Sequence, residues 1–189
     1  MAAVCARTCF AGEFYADTSL GLVLPLNAQA SKGGLDGMLS FKDGEAYGLG
    51  GGYRFDSGLG IGLQGYYLGF DDRNLTLGNP ALAAYGGYYN HNRSDELELF
   101  PVMADLSWEK KLPVWGIRAK AGMELGKAKD SHWDDCYGIY VGLSRKLGKD
   151  WNLEAAVSRL HISSIEADGI SLSDGFRADI LSLRVEREF

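Results

Sequence analysis

Acidic and basic side chains recur at alternate positions of several long segments, where they could act together if the fold placed them on one surface. In residues 114–126, for example, Arg118, Lys120 and Glu124 share one set of alternate positions. Opposed charges in a common interior could carry protons or ions, or they could neutralise one another as a fixed plug. Because an unpaired charge in a narrow interior is costly, the sequence favours the plug. The residues of this predicted lumen network are Arg54, Asp105, Glu109, Arg118, Lys120, Glu124, Glu154, Arg184 and Glu186.

The elements that must position these charges are indicated by a hydrophobic period of two, which is clearest in residues 45–70. In residues 47–55 the odd positions are aromatic, aliphatic or glycine, while the even positions are glycine and Arg54. The turn Asp56-Ser57-Gly58 separates this segment from residues 59–70, which alternate in the same way. Both segments exceed the roughly 5–6 residues of an ordinary strand and match the about 9–11 residues of a tilted membrane-spanning strand.

The whole chain contains eight such segments, and their connections alternate between long and short. This regularity predicts an all-β fold, an eight-stranded antiparallel up-and-down transmembrane β-barrel with its long loops at one end. We expect residues 12–189 to form the barrel and residues 1–11 to be a leader or the remnant of a signal peptide. The predicted strands are residues 13–25, 45–55, 59–70, 97–110, 114–126, 137–144, 151–158 and 176–189.

Alternation alone does not show which face of the barrel is inside, and the positions of the aromatic residues indicate a membrane. Large rings on the aliphatic face cluster near the short turns and the C-terminus, and a second set, including Phe176, lies near the long loops. Two aromatic belts around an aliphatic band are typical of the two bilayer interfaces. A soluble lipocalin-like carrier of a hydrophobic ligand, with the two faces reversed, is the alternative. The predicted girdle at the short turns is Tyr53, Phe55, Trp108, Trp115, Trp151 and Phe189.

The composition excludes several other classes of protein. The net charge is −6, the sequence pI is about 5.1, and no basic stripe is present, so we predict no binding to nucleic acid. No apolar run is long enough for a membrane-spanning helix. Cys5, Cys9 and Cys136 provide neither a disulfide framework nor the spacing of metal ligands, and we therefore expect no metal and no cofactor.

The eight alternating segments and the C-terminal sequence LSLRVEREF, which ends on Phe189, resemble bacterial eight-stranded outer-membrane barrels of the OmpA/OmpX-like class. The resemblance covers residues 13–189 and rests mainly on architecture. It implies localisation in the bacterial outer membrane, contact with the lipid bilayer and lipopolysaccharide, and a monomeric state. It also implies that the C-terminal strand is read by the outer-membrane assembly machinery. Arg187 departs from the apolar residue usual two positions before the terminal aromatic residue.

A second resemblance concerns His161 and Ser163 at the loop end of the seventh predicted strand. His-x-Ser at this place is similar to the active-site motif of outer-membrane lipid A deacylases, which are barrels of the PagL-like kind. The resemblance implies an ester hydrolase in which Ser163 attacks, His161 is the base and a carboxylate such as Asp174 orients the base. The chain departs from that family because Arg177 stands where the acid is found. The deacylase is therefore the alternative to a non-enzymatic barrel.

The second long connection is rich in aromatic and polar side chains of the kind that bind proteins or glycans. We expect this connection to contribute to recognition of an extracellular partner. The sequence thus predicts a non-enzymatic outer-membrane barrel with a charge-plugged lumen, whose external loops serve surface interaction or membrane integrity. The residues predicted to take part in recognition are Tyr85, Tyr88, Tyr89 and His91.

Overall fold

The computed structural model describes most of the chain, as a set of antiparallel strands. The described residues are 11–26, 28–32, 35–41, 43–70, 73–78, 88–93, 97–113, 116–129, 133–164, 166–167, 170–172 and 175–189. None of them belongs to a helix long and apolar enough to cross a membrane. The strands within these residues are β1 (Gly12–Pro25), β2 (Ala28–Lys32), β3 (Leu35–Phe41), β4 (Gly44–Phe55), β5 (Leu59–Phe70), β6 (Arg73–Gly78), β7 (Tyr88–Arg93), β8 (Leu97–Lys111), β9 (Ile117–Lys129), β10 (Trp133–Lys146), β11 (Trp151–Ile162), β12 (Glu166–Ala167), β13 (Ile170–Leu172) and β14 (Phe176–Glu188).

The eight long strands close into one antiparallel barrel in the order β1-β14-β11-β10-β9-β8-β5-β4. Each long strand pairs with its neighbours in the chain, and β1 closes the barrel by pairing with both β4 and β14. The predicted fold class is therefore confirmed. At the closing seam the Phe189 amide donates to the Phe14 carbonyl at 2.9 Å, which ties the two ends of the barrel sequence together.

Tight turns join the strands at one end of the barrel. The β4–β5 turn is closed by a 2.8 Å hydrogen bond from the Gly58 amide to the Phe55 carbonyl. Gly58 has φ +87°, a left-handed conformation that favours glycine over residues with a side chain. The β10–β11 turn is closed in a similar way by the Leu147 amide and the Trp151 carbonyl, 2.8 Å apart. We call this the turn end, and the opposite end, which carries the long connections, the loop end.

Burial alternates along every long strand, and the charged set faces inward. Lys120, Glu124 and Arg184 are each 3% exposed, whereas Leu49 and Val141 on the other face are 73% and 62% exposed. This is the arrangement of a barrel surrounded by lipid, because only a bilayer can cover so continuous an aliphatic outer surface. The lipocalin-like alternative is wrong, since it requires the aliphatic residues inside and the charges in water.

The inside of the barrel changes character at the loop end, where apolar side chains replace the charged ones. Phe70 and Phe176 meet edge to face with their ring centroids 5.0 Å apart. Both are essentially inaccessible, so the expectation that Phe176 belongs to an outer aromatic belt is wrong: its even-numbered position in β14 points inward. The inward-facing apolar cluster, which we call the outer seal, comprises Val23, Ala46, Leu68, Phe70, Leu99, Met103, Ala128, Cys136, Leu160, Ile162, Phe176, Ala178 and Ile180.

Three of the long connections form a second sheet beyond the barrel, which the sequence did not predict. This sheet has the strand order β12-β13-β2-β3-β6-β7. β2 and β3 lie between β1 and β4, β6 and β7 lie between β5 and β8, and β12 and β13 lie between β11 and β14. The connections were expected to be loops, and their strands are short and mix small, polar and apolar residues without a clear period. We call this six-stranded assembly the loop sheet.

Candidate functional site

The charged lumen is built in two layers, and the layer at the turn end is organised by two acids of β14. Arg54 donates to both carboxylate oxygens of Glu186, at 2.7 and 2.6 Å, and to Glu188 at 3.2 Å. Arg118 and Lys146 approach Glu188 from β9 and β10, at 3.3 and 2.7 Å. Bases from three separate strands thus converge on acids of a fourth, which cross-links the barrel through its interior.

Further polar groups complete this layer. Asn152 donates its amide to Glu188 at 2.7 Å and to Glu186 at 3.1 Å. Arg118 also donates to Glu109 at 2.9 Å. Sequence reasoning missed Glu188 and Asn152 as members of the network, although both stand at inward-facing positions of their strands.

The central layer pairs acids with phenols and amides as well as with bases. Tyr66 donates to Glu124 at 2.6 Å, and Tyr140 donates to Asp105 at 2.8 Å. The Arg184 guanidinium lies 5.6 Å from the ring centre of Tyr140. A cation over an aromatic face is attracted by the ring quadrupole, so the Tyr140 ring also helps to hold Arg184.

The central layer also contains Gln64 and Asp17, which the sequence did not single out, and the pair formed by Lys120 and Glu154. Gln64 donates to Asp17 at 2.9 Å, and Arg184 lies 3.6 Å from the same carboxylate. Lys120 lies 3.4 Å from Glu154. These charged side chains are buried and lie within ion-pair distance of opposite charges, although Lys120 Nζ makes no hydrogen bond among the described residues. The geometry suits a fixed plug better than a relay of mobile charge.

Glycines on the inner wall provide the space for the phenols. A Cβ atom at Gly62 would lie 2.7 Å from the Tyr15 hydroxyl, and one at Gly48 would lie 3.1 Å from the Tyr66 ring. At Gly122 a Cβ atom would lie 2.5 Å from the Tyr140 ring. The rings of Tyr15, Tyr66 and Tyr140 therefore occupy the space that these glycines leave. Within the described part of the chain, no group of three or more acidic, histidine or cysteine side chains is placed to hold a metal ion.

The residues predicted to form the aromatic girdle face outward at the turn end wherever the structure describes them. Phe189, Trp108 and Trp151 are exposed on the outer surface. The rings of Tyr53 and Phe55 pack edge to face 5.0 Å apart. Trp115 lies outside the described residues. Tyr47, Phe100 and Tyr137 are exposed near the loop end, and Tyr67 packs against the rings of Tyr47 and Phe100. Aromatic side chains therefore flank the aliphatic band on both sides.

The residues of the predicted hydrolase are not brought together by the described part of the structure. The Nδ1 atom of His161 accepts a hydrogen bond from Nε of Arg177 at 3.4 Å, and the imidazole packs on Tyr137 with ring centres 4.7 Å apart. Among the described hydrogen bonds none joins Ser163 to His161, and Asp174 lies outside the described residues. An arginine cannot accept the hydrogen bond that an orienting carboxylate accepts from the imidazole N–H, so this contact does not support a catalytic base.

The predicted recognition residues belong mainly to the loop sheet. Tyr88, Tyr89 and His91 lie in β7, the last strand in the order of that sheet, where they pair with Gly78, Leu77 and Leu75 of β6. Tyr85 lies outside the described residues. The sheet thus brings three of the four predicted residues into one strand, on the side of the barrel opposite the tight turns.

Comparison with known proteins agrees with this architecture. The family model described as outer membrane protein beta-barrel domain matches residues 1–189. Neisserial surface protein A has a TM-score of 0.57 at 16% identity, over 93% of this chain and 97% of that one. The outer membrane protein OprG of Pseudomonas aeruginosa has a TM-score of 0.57 at 11% identity, over 93% and 96%. The outer membrane protein W of E. coli has a TM-score of 0.50 at 16% identity, over 95% and 98%. No curated protein sequence matches the chain significantly.

Proposed function

The chain belongs to the family of outer-membrane β-barrel proteins, and on that premise we propose that it is a non-enzymatic, non-conducting barrel that presents the loop sheet to a partner outside the cell. The protein lies in the bacterial outer membrane with the lipid bilayer around its aliphatic band. Barrels of this kind have short turns on the periplasmic side and longer loops on the extracellular side. We therefore assign the loop sheet to the extracellular side.

The observation that carries this proposal is the union of three long connections in one hydrogen-bonded sheet. Separate flexible loops would lose conformational entropy when they bind. A preformed sheet on a rigid barrel is already ordered before binding and loses less. Tyr88, Tyr89 and His91 give β7 the aromatic and polar composition typical of surfaces that bind proteins or glycans. Tyr85 precedes the same strand in the sequence and is proposed to join this surface.

Two features of the lumen support a barrel that does not conduct. The charges of the inner wall are paired across the barrel, and the outer seal fills the loop end with apolar side chains. An ion that entered would have to displace paired charges and then pass an apolar layer, and both steps carry a large desolvation cost. The charge network is accordingly assigned to stability.

The proposed partners within the membrane follow from the same orientation. Lipopolysaccharide would surround the loop end, because that end lies in the outer leaflet. The C-terminal strand β14, which ends next to the exposed ring of Phe189, is proposed as the segment recognised by the assembly machinery. The closed barrel has no unpaired edge among its eight strands, which supports a monomer.

The test uses the full chain in lipid nanodiscs, probed with a glycan array and a peptide array. We expect the natural chain to bind a glycan or a peptide. This binding should be lost when Tyr88, Tyr89 and His91 are all replaced by Ser. Replacement of Lys149 and Asp150 by Ser in a tight turn at the other end keeps the net charge and is the matched control. Binding that survives in the β7 variant, or no binding by the natural chain, would contradict the proposal. Discrete channel openings in planar bilayers would contradict the closed lumen.

A further inference from the structure

One sector of the lipid-facing wall is recessed. Ala119 and Ala121 of β9 and Ala155 of β11 face outward with small side chains, while Trp108 and Leu181 stand at either side. The resulting groove encloses about 500 Å³ and is lined almost entirely by apolar atoms. Its floor is made of strand backbone and alanine together with Val141 and Leu143 of β10, which lies between β9 and β11.

The groove continues toward the loop end. A second depression of about 220 Å³ lies next to it, and both are lined by Val141 and Val157. The second depression ends at the outward-facing pair Arg159 and Asp179. At about 3.3 Å per residue, the four residues from Ala155 to Arg159 span roughly 13 Å along the strand. The part of the groove from Ala155 to Arg159 therefore fits within one leaflet of a hydrocarbon core about 30 Å thick. The first depression also extends to Trp108 of the aromatic girdle at the turn end.

Cationic side chains are concentrated at the polar end of this groove. Arg159 donates its Nε and Nη2 atoms to Asp179 at 2.7 and 2.8 Å, which leaves its Nη1 donors available. Arg177 lies two residues from Asp179 along β14, nearer the loop end, and its register partner is His161 of β11. No carboxylate of the described residues lies within ion-pair distance of the Arg177 guanidinium. Charged side chains on the lipid face are tolerated at headgroup depth and are costly at the midplane. The two arginines therefore mark the headgroup level.

The opposite wall of the barrel carries the opposite chemistry at the same end. There Tyr47 donates to Glu45 at 3.0 Å and Tyr67 donates to Glu98 at 3.1 Å. These outward-facing groups are acidic and phenolic, whereas the groove sector presents Arg177 and the pair formed by Arg159 and Asp179. This coincidence of an apolar channel with cationic donors at its outer end is the observation that points to a ligand.

We propose that this sector binds a phosphorylated, acylated glycolipid of the outer leaflet, of the lipopolysaccharide class, with one acyl chain in the alanine groove and a phosphate on Arg159 and Arg177. The inference rests on the proposed orientation, which places the loop end in the outer leaflet. Guanidinium groups bind phosphate oxygens through paired, charge-assisted hydrogen bonds. An acyl chain held in the recess would contact the barrel wall there, where a smooth wall would contact only mobile lipid.

The test measures lipid binding to the full-length barrel by native mass spectrometry in detergent. The probes are bisphosphorylated lipid A, the same lipid after removal of its phosphates, and phosphatidylglycerol. We expect bisphosphorylated lipid A to bind most tightly. The double variant Arg159→Gln with Arg177→Gln should weaken its binding by about ten- to hundredfold, because charge-assisted hydrogen bonds are lost. The same pair of substitutions at Arg145 and Arg187, which face outward at the turn end, is the matched control and should have no such effect.

The groove is tested independently of the charges. Ala155→Phe fills it and should weaken binding of all acylated probes, whereas Ala104→Phe, on the outer face of β8 away from the groove, should not. Equal affinity for lipid A with and without phosphates, or for phosphatidylglycerol, would overturn the site, as would unchanged binding in both the arginine and the Ala155 variants. Gel mobility before and after heating checks insertion in every case. A natural chain that does not form a heat-modifiable barrel would overturn the proposed function as well, whereas a folded barrel without lipid selectivity overturns the site alone.

Discussion

Replacement of Arg54 by Met should destabilise the barrel strongly. The Arg54 guanidinium makes two hydrogen bonds to Glu186, at 2.6 and 2.7 Å, and one to Glu188 at 3.2 Å. The Arg54 side chain is only 8% exposed. Met has a similar shape and no charge, so the change removes the base and leaves its acids in a buried interior. This perturbation tests whether the lumen charges act as a structural network.

The expected loss follows from what each acid retains. Breaking a buried ion pair by removing one partner costs about 3–5 kcal/mol. Glu186 keeps a hydrogen bond from Asn152 at 3.1 Å, while Glu188 keeps Arg118 at 3.3 Å and Lys146 at 2.7 Å. These remaining donors reduce the penalty, so we expect the free energy of unfolding to fall by about 3 kcal/mol, at the lower end of that range.

The assay is reversible urea unfolding in lipid vesicles, followed by tryptophan fluorescence. Arg159→Met is the matched control, because Arg159 forms a bidentate pair with Asp179 of similar geometry on the outer surface, where its side chain is 59% exposed. Its loss should be much smaller, since exposed pairs contribute little. The double variant Arg54→Met with Glu186→Met should recover much of the stability. Equal losses for the Arg54 and Arg159 variants, or a double variant less stable than Arg54→Met, would refute the reasoning.

Three further changes test other parts of the structure. Phe176→Ala should lower the free energy of unfolding by about 3–5 kcal/mol, because it opens a cavity in the outer seal. Phe100→Ala on the lipid face should lower it clearly less. Equal losses in urea unfolding would argue against the seal. Phe189→Ser should reduce the fraction of chain that reaches the outer membrane in heat-modifiable form severalfold, measured by cell fractionation, and an unchanged fraction would remove Phe189 from the assembly signal. Neither the natural chain nor His161→Ala should release fatty acid from lipid A; release that disappears in the variant would establish the hydrolase instead.

The barrel could be predicted because its signal is repeated eight times. Each long strand carries a period of two, and the alternation of long and short connections fixes which strands are neighbours. The inward direction of Arg118, Lys120 and Glu124 then followed from the choice of a membrane, since the charges had to lie opposite the aliphatic face. The number of barrel strands, their phase and the fold class therefore needed no tertiary information.

Other features depend on contacts that alternation cannot reveal. Glu188 is central to the turn-end layer only because Arg54, Arg118 and Lys146 converge on it from three strands. Phe176 was assigned to the wrong face because its position near a long loop was given more weight than its phase in β14. Phase was the better guide, since alternate positions keep the same face along the whole strand, including its first residue Phe176.

The loop sheet was missed because pairing between distant segments creates it. β2 meets β13 although more than half of the chain lies between them, and neither segment shows a clear period by itself. The contact of Arg177 with His161 joins two consecutive barrel strands, and it forms because the register places these two residues opposite each other. Such contacts depend on the register between strands, which the sequence pattern does not specify.

The central claim is that the aliphatic face meets lipid and the charged face lines a closed interior. The most direct test uses a chain whose natural cysteines are replaced and places single cysteines at successive positions 181–186 of β14. Each cysteine is labelled with a small fluorophore after the chain is refolded in vesicles. The quenching of this fluorophore by nitroxide lipids is then measured. We expect strong quenching at positions 181, 183 and 185 and weak quenching at 182, 184 and 186. The opposite phase, or quenching without alternation, would contradict the account.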